Sequence, residues 1–185
     1  LILAPTRELA IQIGDELRGL LTYYTGIRVA VLYGGAGIGG QIRQLEKKPQ
    51  IVVATPGRLM DHYNRKTIRL DKIQTVVLDE ADRMLDMGFF KDVTRIIEKV
   101  KNRKNLGLFS ATISQEVMTV SWMYQRDEVE ITVEPKQEDR PDIDQFCLTC
   151  TPLEKAEKTL RLIRQQGYER VMIFCNTKHM CQRLS

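Results

Sequence analysis

The chain contains little of several features that mark common classes of protein. Only 6% of its 185 residues are aromatic, and it has one tryptophan and two histidines. It has no apolar run near the ~20 residues that a membrane-spanning helix needs, and no basic segment followed by the short apolar run of a secretory signal. The net charge of +4 permits a polyanionic partner but does not indicate one. These absences favour an intracellular, cytoplasmic protein that has no membrane partner.

Cysteine is also scarce, but the spacing of the cysteines raises the question of whether they bind zinc. The cysteines and the histidine near them are Cys147, Cys150, Cys175, His179 and Cys181. A Cys-x-x-Cys pair followed by a Cys/His cluster is a zinc-ligand pattern. Against zinc, residues 143–150 alternate as in a strand, where side chains three apart point to opposite faces. We therefore expect reduced, structural cysteines.

Short apolar runs alternate with amphipathic stretches along most of the chain. The pattern predicts strands at 1–4, 27–33, 50–54, 74–79, 105–110 and 128–133. It predicts helices at 7–22, 38–47, 57–65, 80–86, 89–100 and 114–124. Such alternation is typical of an α/β fold with a parallel sheet that helices cover on both faces. Ligand sites in such sheets lie at the carboxyl ends of the strands.

One polar segment, 134–144, contains two prolines and interrupts this alternation, as an interdomain linker does. The pattern then resumes with a predicted strand, a helix and a second strand, at 143–150, 152–166 and 170–175. We therefore predict a first domain at 1–133 and the start of a second domain at 145–185.

Three carboxylates lie within four residues directly after an apolar run, in Val76-Val77-Leu78-Asp79-Glu80-Ala81-Asp82. Acids this close at the end of a buried strand repel each other and lose hydration. A divalent cation with nucleotide phosphates on its far side would compensate for that cost. Asp79 would then hold the metal through a water molecule, and Glu80 would orient the water that attacks the γ-phosphate. The capped start of a helix is the structural alternative.

Three further segments each combine the end of a predicted strand, a tight turn and the start of a helix. Their residues are Pro5, Thr6, Arg7, Gly34, Gly35, Thr55, Pro56, Gly57 and Arg58. Free N–H groups at helix starts bind phosphates, and glycine lets a backbone approach closely. Three such turns predict binding of a single-stranded sugar-phosphate backbone without base recognition. Ordinary helix capping accounts for each turn taken singly.

The segment Gly35-Ala36-Gly37-Ile38-Gly39-Gly40 offers another hypothesis, because it matches the G-x-G-x-x-G fingerprint of dinucleotide-binding oxidoreductases. That fingerprint requires an acidic residue at the end of the next strand. The next predicted strand ends at Ala54-Thr55-Pro56, so we disfavour this alternative.

Taken together and in order, the motifs resemble those of the DEAD-box family of ATP-dependent RNA helicases. The residues around the motifs are similar to those of bacterial members. They are Pro5-Thr6-Arg7-Glu8-Leu9-Ala10, Gly34-Gly35, Thr55-Pro56-Gly57-Arg58, Asp79-Glu80-Ala81-Asp82, Arg83-Met84-Leu85-Asp86-Met87-Gly88-Phe89 and Ser110-Ala111-Thr112. The resemblance covers essentially all of residues 1–185. It implies two RecA-like domains, ATP and Mg²⁺ as cofactors, and local unwinding of short RNA duplexes with little sequence specificity.

The resemblance also implies roles for individual residues. Asp79 and Glu80 would be the catalytic pair that contacts the nucleotide, and the three turns would contact RNA. Asp82 would engage Ser110 and Thr112, whose hydroxyls would relay changes at the γ-phosphate to domain closure. Capping of the helix that follows is the alternative for the two hydroxyl residues. An ATP-gated RNA clamp would use the same motifs as a helicase.

One family motif is absent, because no Gly-Lys-Ser or Gly-Lys-Thr occurs in the chain. The resemblance implies that the phosphate-binding loop precedes Leu1, and that its strand lies between those ending at Asp79 and Ser110. Arginines of the second domain would lie beyond Ser185. We therefore expect a fragment that is inactive alone.

Overall fold

The computed structural model describes residues 1–133 and 143–184. The chain divides into two compact units, the first at Leu1–Glu130 and the second beginning at Ile131. Most of the predicted linker, 134–142, lies outside the described residues. No helix in the described part of the chain is long and apolar enough to cross a membrane.

The first unit contains one parallel sheet of five strands. They are β1 (Ile2–Leu3), β2 (Val29–Leu32), β3 (Ile51–Ala54), β4 (Thr75–Leu78) and β5 (Asn105–Leu108). The order across the sheet is β2-β3-β1-β4-β5, and every neighbouring pair is parallel. Each strand lies within a predicted apolar run, so the predicted parallel sheet is confirmed.

Six helices accompany the sheet: α1 (Arg7–Leu20), α2 (Ile38–Glu46), α3 (Pro56–Asn64), α4 (Ala81–Met84), α5 (Phe90–Lys99) and α6 (Gln115–Tyr124). A π-type turn at Leu85–Phe89 joins α4 to α5, and Gly88 in it has φ 85°. Val31 and Val53 pack with Ala10 of α1, whereas the alternate residues Leu32 and Val52 belong to the larger cluster that contains α3, α5 and α6. Because alternate strand residues face opposite sides, helices cover both faces of the sheet, as predicted.

The carboxyl ends of the five strands bring the motifs to one edge. In spatial order, β2 leads into Gly34, β3 into Thr55, β1 into Pro5, β4 into Asp79 and β5 into Ser110. The three glycine- and threonine-containing turns therefore lie side by side, next to the carboxylates. Neighbouring strands are about 4.8 Å apart, so the two groups of motifs adjoin directly at β1 and β4.

Three strand predictions were wrong: 128–133, 143–150 and 170–175 contain no strand in the described part of the chain. Among its described residues the second unit contains two helices, α7 (Lys155–Gln166), which lies within the helix predicted at 152–166, and α8 (Lys178–Leu184). A strand needs a neighbour for its backbone N–H and C=O groups, whereas a helix satisfies its own. Apolar alternation at 143–150 and 170–175 is not matched by a partner strand, and Phe146 and Phe174 are 91% and 88% exposed.

The expected insertion of a further strand between those ending at Asp79 and Ser110 was also wrong. β4 pairs directly with β5, from Thr75 opposite Asn105 to Leu78 opposite Leu108. The expected placement came from the family resemblance and not from the apolar runs, which do not determine which strands are neighbours because each central strand buries the same kind of surface.

Candidate functional site

Asp79 and Glu80 lie where β4 ends. The Asp79 N–H donates to the carbonyl of Leu3 at 2.9 Å, which ties this end of β4 to β1. The Glu80 N–H donates to Asp79 Oδ1 at 3.0 Å. Asp79 is half-buried, and its other carboxylate oxygen accepts no hydrogen bond among the described residues. One carboxylate oxygen of Asp79 is therefore available to a ligand.

The backbone of Glu80 does not have the geometry of an ordinary helix cap. Its φ and ψ are 47° and 52°, in the left-handed region, and its side chain makes no capping hydrogen bond. A capping residue has extended dihedrals and accepts from the first helical turn. The structural alternative proposed for this segment is therefore disfavoured.

Arg83 forms an ion pair with Glu80, with 3.0 Å between Arg83 Nη1 and Glu80 Oε2. Both side chains are exposed, and exposed pairs contribute at most about 1 kcal/mol. The Glu80 carboxylate can therefore leave Arg83 at little cost. Sequence reasoning assigned no partner to Glu80, although the three-residue spacing on a helix start is a signal for such a pair.

Asp82, Ser110 and Thr112, the three residues predicted to couple the sites, form one hydrogen-bonded cluster. Asp82 Oδ2 accepts from the Thr112 hydroxyl at 2.7 Å and from the Thr112 N–H at 2.9 Å. The Asp82 N–H donates to Ser110 Oγ at 3.2 Å, and Ser110 Oγ donates to the Thr112 carbonyl at 2.7 Å. The cluster joins the start of α4 to the segment after β5.

The cluster also sets the ionisation of Asp82. Partial burial by itself raises the pKa of Asp82. The hydrogen bonds from the Thr112 side chain and from the N–H groups of Arg83 and Thr112 outweigh burial, so the pKa lies below its ordinary value. Asp82 is therefore a carboxylate at neutral pH.

The three turns differ in how much of their donor and acceptor capacity is already used. Thr6 caps α1, because its Oγ1 accepts from the Leu9 N–H at 3.3 Å. Thr55 precedes α3, where Pro56 occupies the first turn, but the Thr55 side chain makes no capping bond. Gly35 has φ 80°, which favours glycine. Capping thus explains Thr6 but leaves the Thr55 hydroxyl available.

Two arginines connect the turns to each other. The Arg7 guanidinium lies 5.3 Å from the ring centre of Tyr33, and a Cβ on Gly35 would be 3.4 Å from Arg7 Nη1. Arg58 Nη1 donates to the Ala36 carbonyl at 3.1 Å. A guanidinium has five N–H donors, so this bond leaves others for a phosphate. All three predicted turns therefore belong to one continuous surface.

A buried polar chain behind this surface was missed by sequence reasoning, which assigned no role to His62. His62 Nε2 lies 3.1 Å from Gln41 Oε1, and His62 Nδ1 lies 2.8 Å from Thr67 Oγ1. Gln41 Nε2 donates to the Tyr33 carbonyl at 3.0 Å. The available signal was helical spacing, because Gln41 falls three residues after Ile38, on the apolar face of α2.

No three histidine, cysteine, aspartate or glutamate side chains gather as a metal site within residues 1–133 and 143–184. Mg²⁺ commonly needs only one or two protein carboxylates, because water and substrate phosphates complete its shell. The half-buried Asp79 at the strand end fits that requirement.

The sequence was compared with models of protein families and with curated proteins. The model described as "DEAD/DEAH box helicase" matches residues 1–120. The DEAD-box ATP-dependent RNA helicase CshA of Bacillus cereus is 41% identical over 185 residues, which are 100% of this chain and 35% of that protein. The ATP-dependent RNA helicase DeaD of Haemophilus influenzae is 38% identical over 178 residues, which are 96% of this chain and 29% of that protein. The chain thus spans about a third of the length of these curated relatives.

Solved structures show the same similarity. A DEAD box protein from Methanococcus jannaschii matches with a TM-score of 0.68 and 38% identity, over 99% of this chain and 48% of that one. A hypothetical ATP-dependent RNA helicase from Sulfolobus tokodaii matches with a TM-score of 0.65 and 40% identity, over 68% of this chain and 38% of that one. The resemblance to bacterial members is supported by both curated relatives.

Proposed function

Because the chain belongs to the DEAD/DEAH box helicase family, we propose that it serves in an ATP-dependent RNA helicase that unwinds short RNA duplexes locally. The observation that carries this proposal is the order of motifs along the sheet edge. The three turns that we expect to bind phosphates lie side by side after β2, β3 and β1, directly beside the carboxylates after β4. A nucleotide site and a nucleic-acid surface that share one sheet can affect each other. Residues 1–133 would be the first RecA-like domain, 134–144 the linker and 145–185 the start of the second.

ATP with Mg²⁺ is the proposed cofactor. Mg²⁺ would be held by Asp79 through water, with phosphate oxygens on its other side, and would neutralise charge on the phosphates. Glu80, once released from Arg83, would orient the attacking water. The chain contains no Gly-Lys-Ser or Gly-Lys-Thr, so we assign no phosphate-cradling loop to its residues. We place the protein in the cytoplasm, with RNA as its partner.

RNA would lie with its phosphates along the turns after β2, β3 and β1. The donors to these phosphates would be backbone N–H groups at the starts of α1 and α3, the Thr55 hydroxyl and the arginines Arg7 and Arg58. These groups contact phosphate and sugar, which are common to all sequences. We therefore expect binding with little base preference. Asp82, Ser110 and Thr112 would transmit the state of the γ-phosphate.

The experiment uses a full-length protein that carries this chain. ATP hydrolysis is measured with single-stranded RNA, with single-stranded DNA of the same sequence and without nucleic acid. Displacement of one strand from a short RNA duplex and the RNA dissociation rate are measured in parallel. RNA-stimulated hydrolysis together with displacement is the expected result. Equal stimulation by DNA would contradict RNA as the substrate, and slow RNA release without displacement would favour an ATP-gated clamp.

A further inference from the structure

Two polar side chains are buried in the part of the chain that the structure describes, Gln41 at 3% exposure and His62 at 0%. They contact each other through Gln41 Oε1 and His62 Nε2, at 3.1 Å. Burying polar groups costs free energy even when they are paired, and an apolar pair of similar shape is often no less stable. A contribution to stability therefore does not explain why these two polar side chains are buried together.

The direction of the hydrogen bonds shows what the pair holds in place. Gln41 Nε2 donates to the Tyr33 carbonyl, so the Gln41 oxygen must accept the proton on His62 Nε2. His62 Nδ1 lies 2.8 Å from the Thr67 hydroxyl, which also donates to the His62 carbonyl at 3.0 Å. Burial lowers the pKa of His62 and the nearby charge of Arg58 lowers it further, which keeps the ring neutral. The chain runs from Thr67 through His62 and Gln41 to Tyr33.

Tyr33 is the residue directly before the Gly34-Gly35 turn. That turn is fixed at one end by the bond from Gln41 to the Tyr33 carbonyl, and at the other by the bond from Arg58 to the Ala36 carbonyl. Arg58 and His62 both lie on α3. The Gln41–His62 contact therefore fixes α3, which carries one phosphate-binding turn, relative to the glycine turn that forms another. Glycines would otherwise leave this turn conformationally free.

We propose that Gln41, His62 and Thr67 are positioning residues that hold the turns after β2 and β3 in the geometry that accepts successive RNA phosphates. This rests on the proposed binding of RNA. None of the three contacts RNA. Their effect is to remove the ordering cost that a loose turn would add to binding.

The test compares variants of a full-length protein that carries this chain. Gln41→Glu keeps the oxygen that His62 needs but removes the donor to the Tyr33 carbonyl. The double variant Gln41→Leu with His62→Leu removes both buried polar groups together, so stability should largely be retained. Gln12→Leu changes an exposed glutamine of α1 and is the matched control. RNA affinity is measured at several salt concentrations, with the thermal melt and the KM for ATP.

We expect RNA affinity to be about five- to tenfold weaker in Gln41→Glu and in the double variant. RNA binding would then have to order one or two segments that the parent already holds in place. The KM for ATP and the slope of log affinity against log salt should match the parent and Gln12→Leu, because no phosphate contact is lost. Parent-like RNA affinity in a folded double variant would show a purely structural role and overturn the inference. A flattened slope would also overturn it, since it would indicate direct phosphate contact. If the parent itself binds no RNA, the proposed function fails as well.

Discussion

The left-handed backbone of Glu80 is a local conformation that a residue with a side chain adopts at a cost of about 1–2 kcal/mol. The surrounding bonds enforce it: the Ala81 N–H donates to the Phe109 carbonyl at 2.9 Å, and the Met84 N–H donates to the Glu80 carbonyl at 2.9 Å. Such strain concentrates at functional sites, where it sets the direction of a side chain. The strain at Glu80 therefore agrees with the role that sequence reasoning predicted for its carboxylate.

Replacing Glu80 tests that role at the level of one functional group. In a full-length protein, Glu80→Gln should retain ATP and RNA binding but lower the hydrolysis rate about 10²-fold or more, because an amide cannot polarise water as a carboxylate does. Asp86→Asn, at an exposed carboxylate in the neighbouring turn, is the control and should have the parent's rate. Steady-state hydrolysis and equilibrium binding of both ligands check the prediction. Normal turnover in Glu80→Gln would remove Glu80 from the mechanism.

Thr112→Val tests the link between the Asp82 carboxylate and the segment after β5. Loss of the hydroxyl bond should raise the pKa of Asp82 towards its ordinary value, which a carboxyl NMR titration measures. Because the pKa of Asp82 is depressed in the folded state, the cluster stabilises the parent at pH values above the ordinary aspartate pKa. This stabilisation is lost as the pH falls through the folded-state pKa. The valine variant should lose less stability over that acidic range. Thr119→Val on α6 is the control, and an unchanged Asp82 pKa in Thr112→Val would refute the assignment.

At the scale of elements, the sequence predicted the positions of the strands in the sheet more accurately than their order. Continuous apolar runs such as residues 30–32 are buried on both faces, so their identity follows from composition alone. The direct pairing of β4 with β5 depends on packing of the whole sheet, which no single run encodes. The contact between Gln41 and His62 was equally hidden, because the two residues meet only once α2 and α3 have docked.

Arg58→Ala tests the turn before α3 as a phosphate-binding element. Affinity for RNA should fall alike for all base sequences, and the slope of log affinity against log salt should flatten by about 0.7, the value for one phosphate contact of a single strand. The same change also removes the bond to the Ala36 carbonyl, which adds a loss of affinity that does not depend on salt. Arg95→Ala on α5 removes the same charge away from the turns and is the control. A strong preference for one base, or an unchanged slope, would contradict phosphate binding at Arg58.

At the scale of the whole molecule, apolar burial is distributed very unequally. All of the buried hydrophobic side chains among the described residues lie between Leu3 and Val120. α7 contains no buried residue, and Leu153 and Met172 of the second unit are strongly exposed. The alternation of apolar runs with amphipathic stretches predicted that this unit is the start of a domain like the first. Its helices formed and its strands did not, because only helices can form without a partner.

This distribution predicts that the first unit determines the thermal stability of the chain. Residues 1–130 and residues 1–185, each purified alone, should melt within about 2 °C of each other, because the described residues of the second unit include no buried hydrophobic side chain. Limited proteolysis of residues 1–185 should cut beyond residue 130 first and leave a resistant product of about the first unit. Calorimetry, with mass spectrometry of the resistant product, provides both measurements. A melting temperature more than about 4 °C higher for residues 1–185 would mean that the second unit adds on the order of 1 kcal/mol or more. That result, or first cuts within α1 to α6, would contradict the prediction that the first unit determines stability.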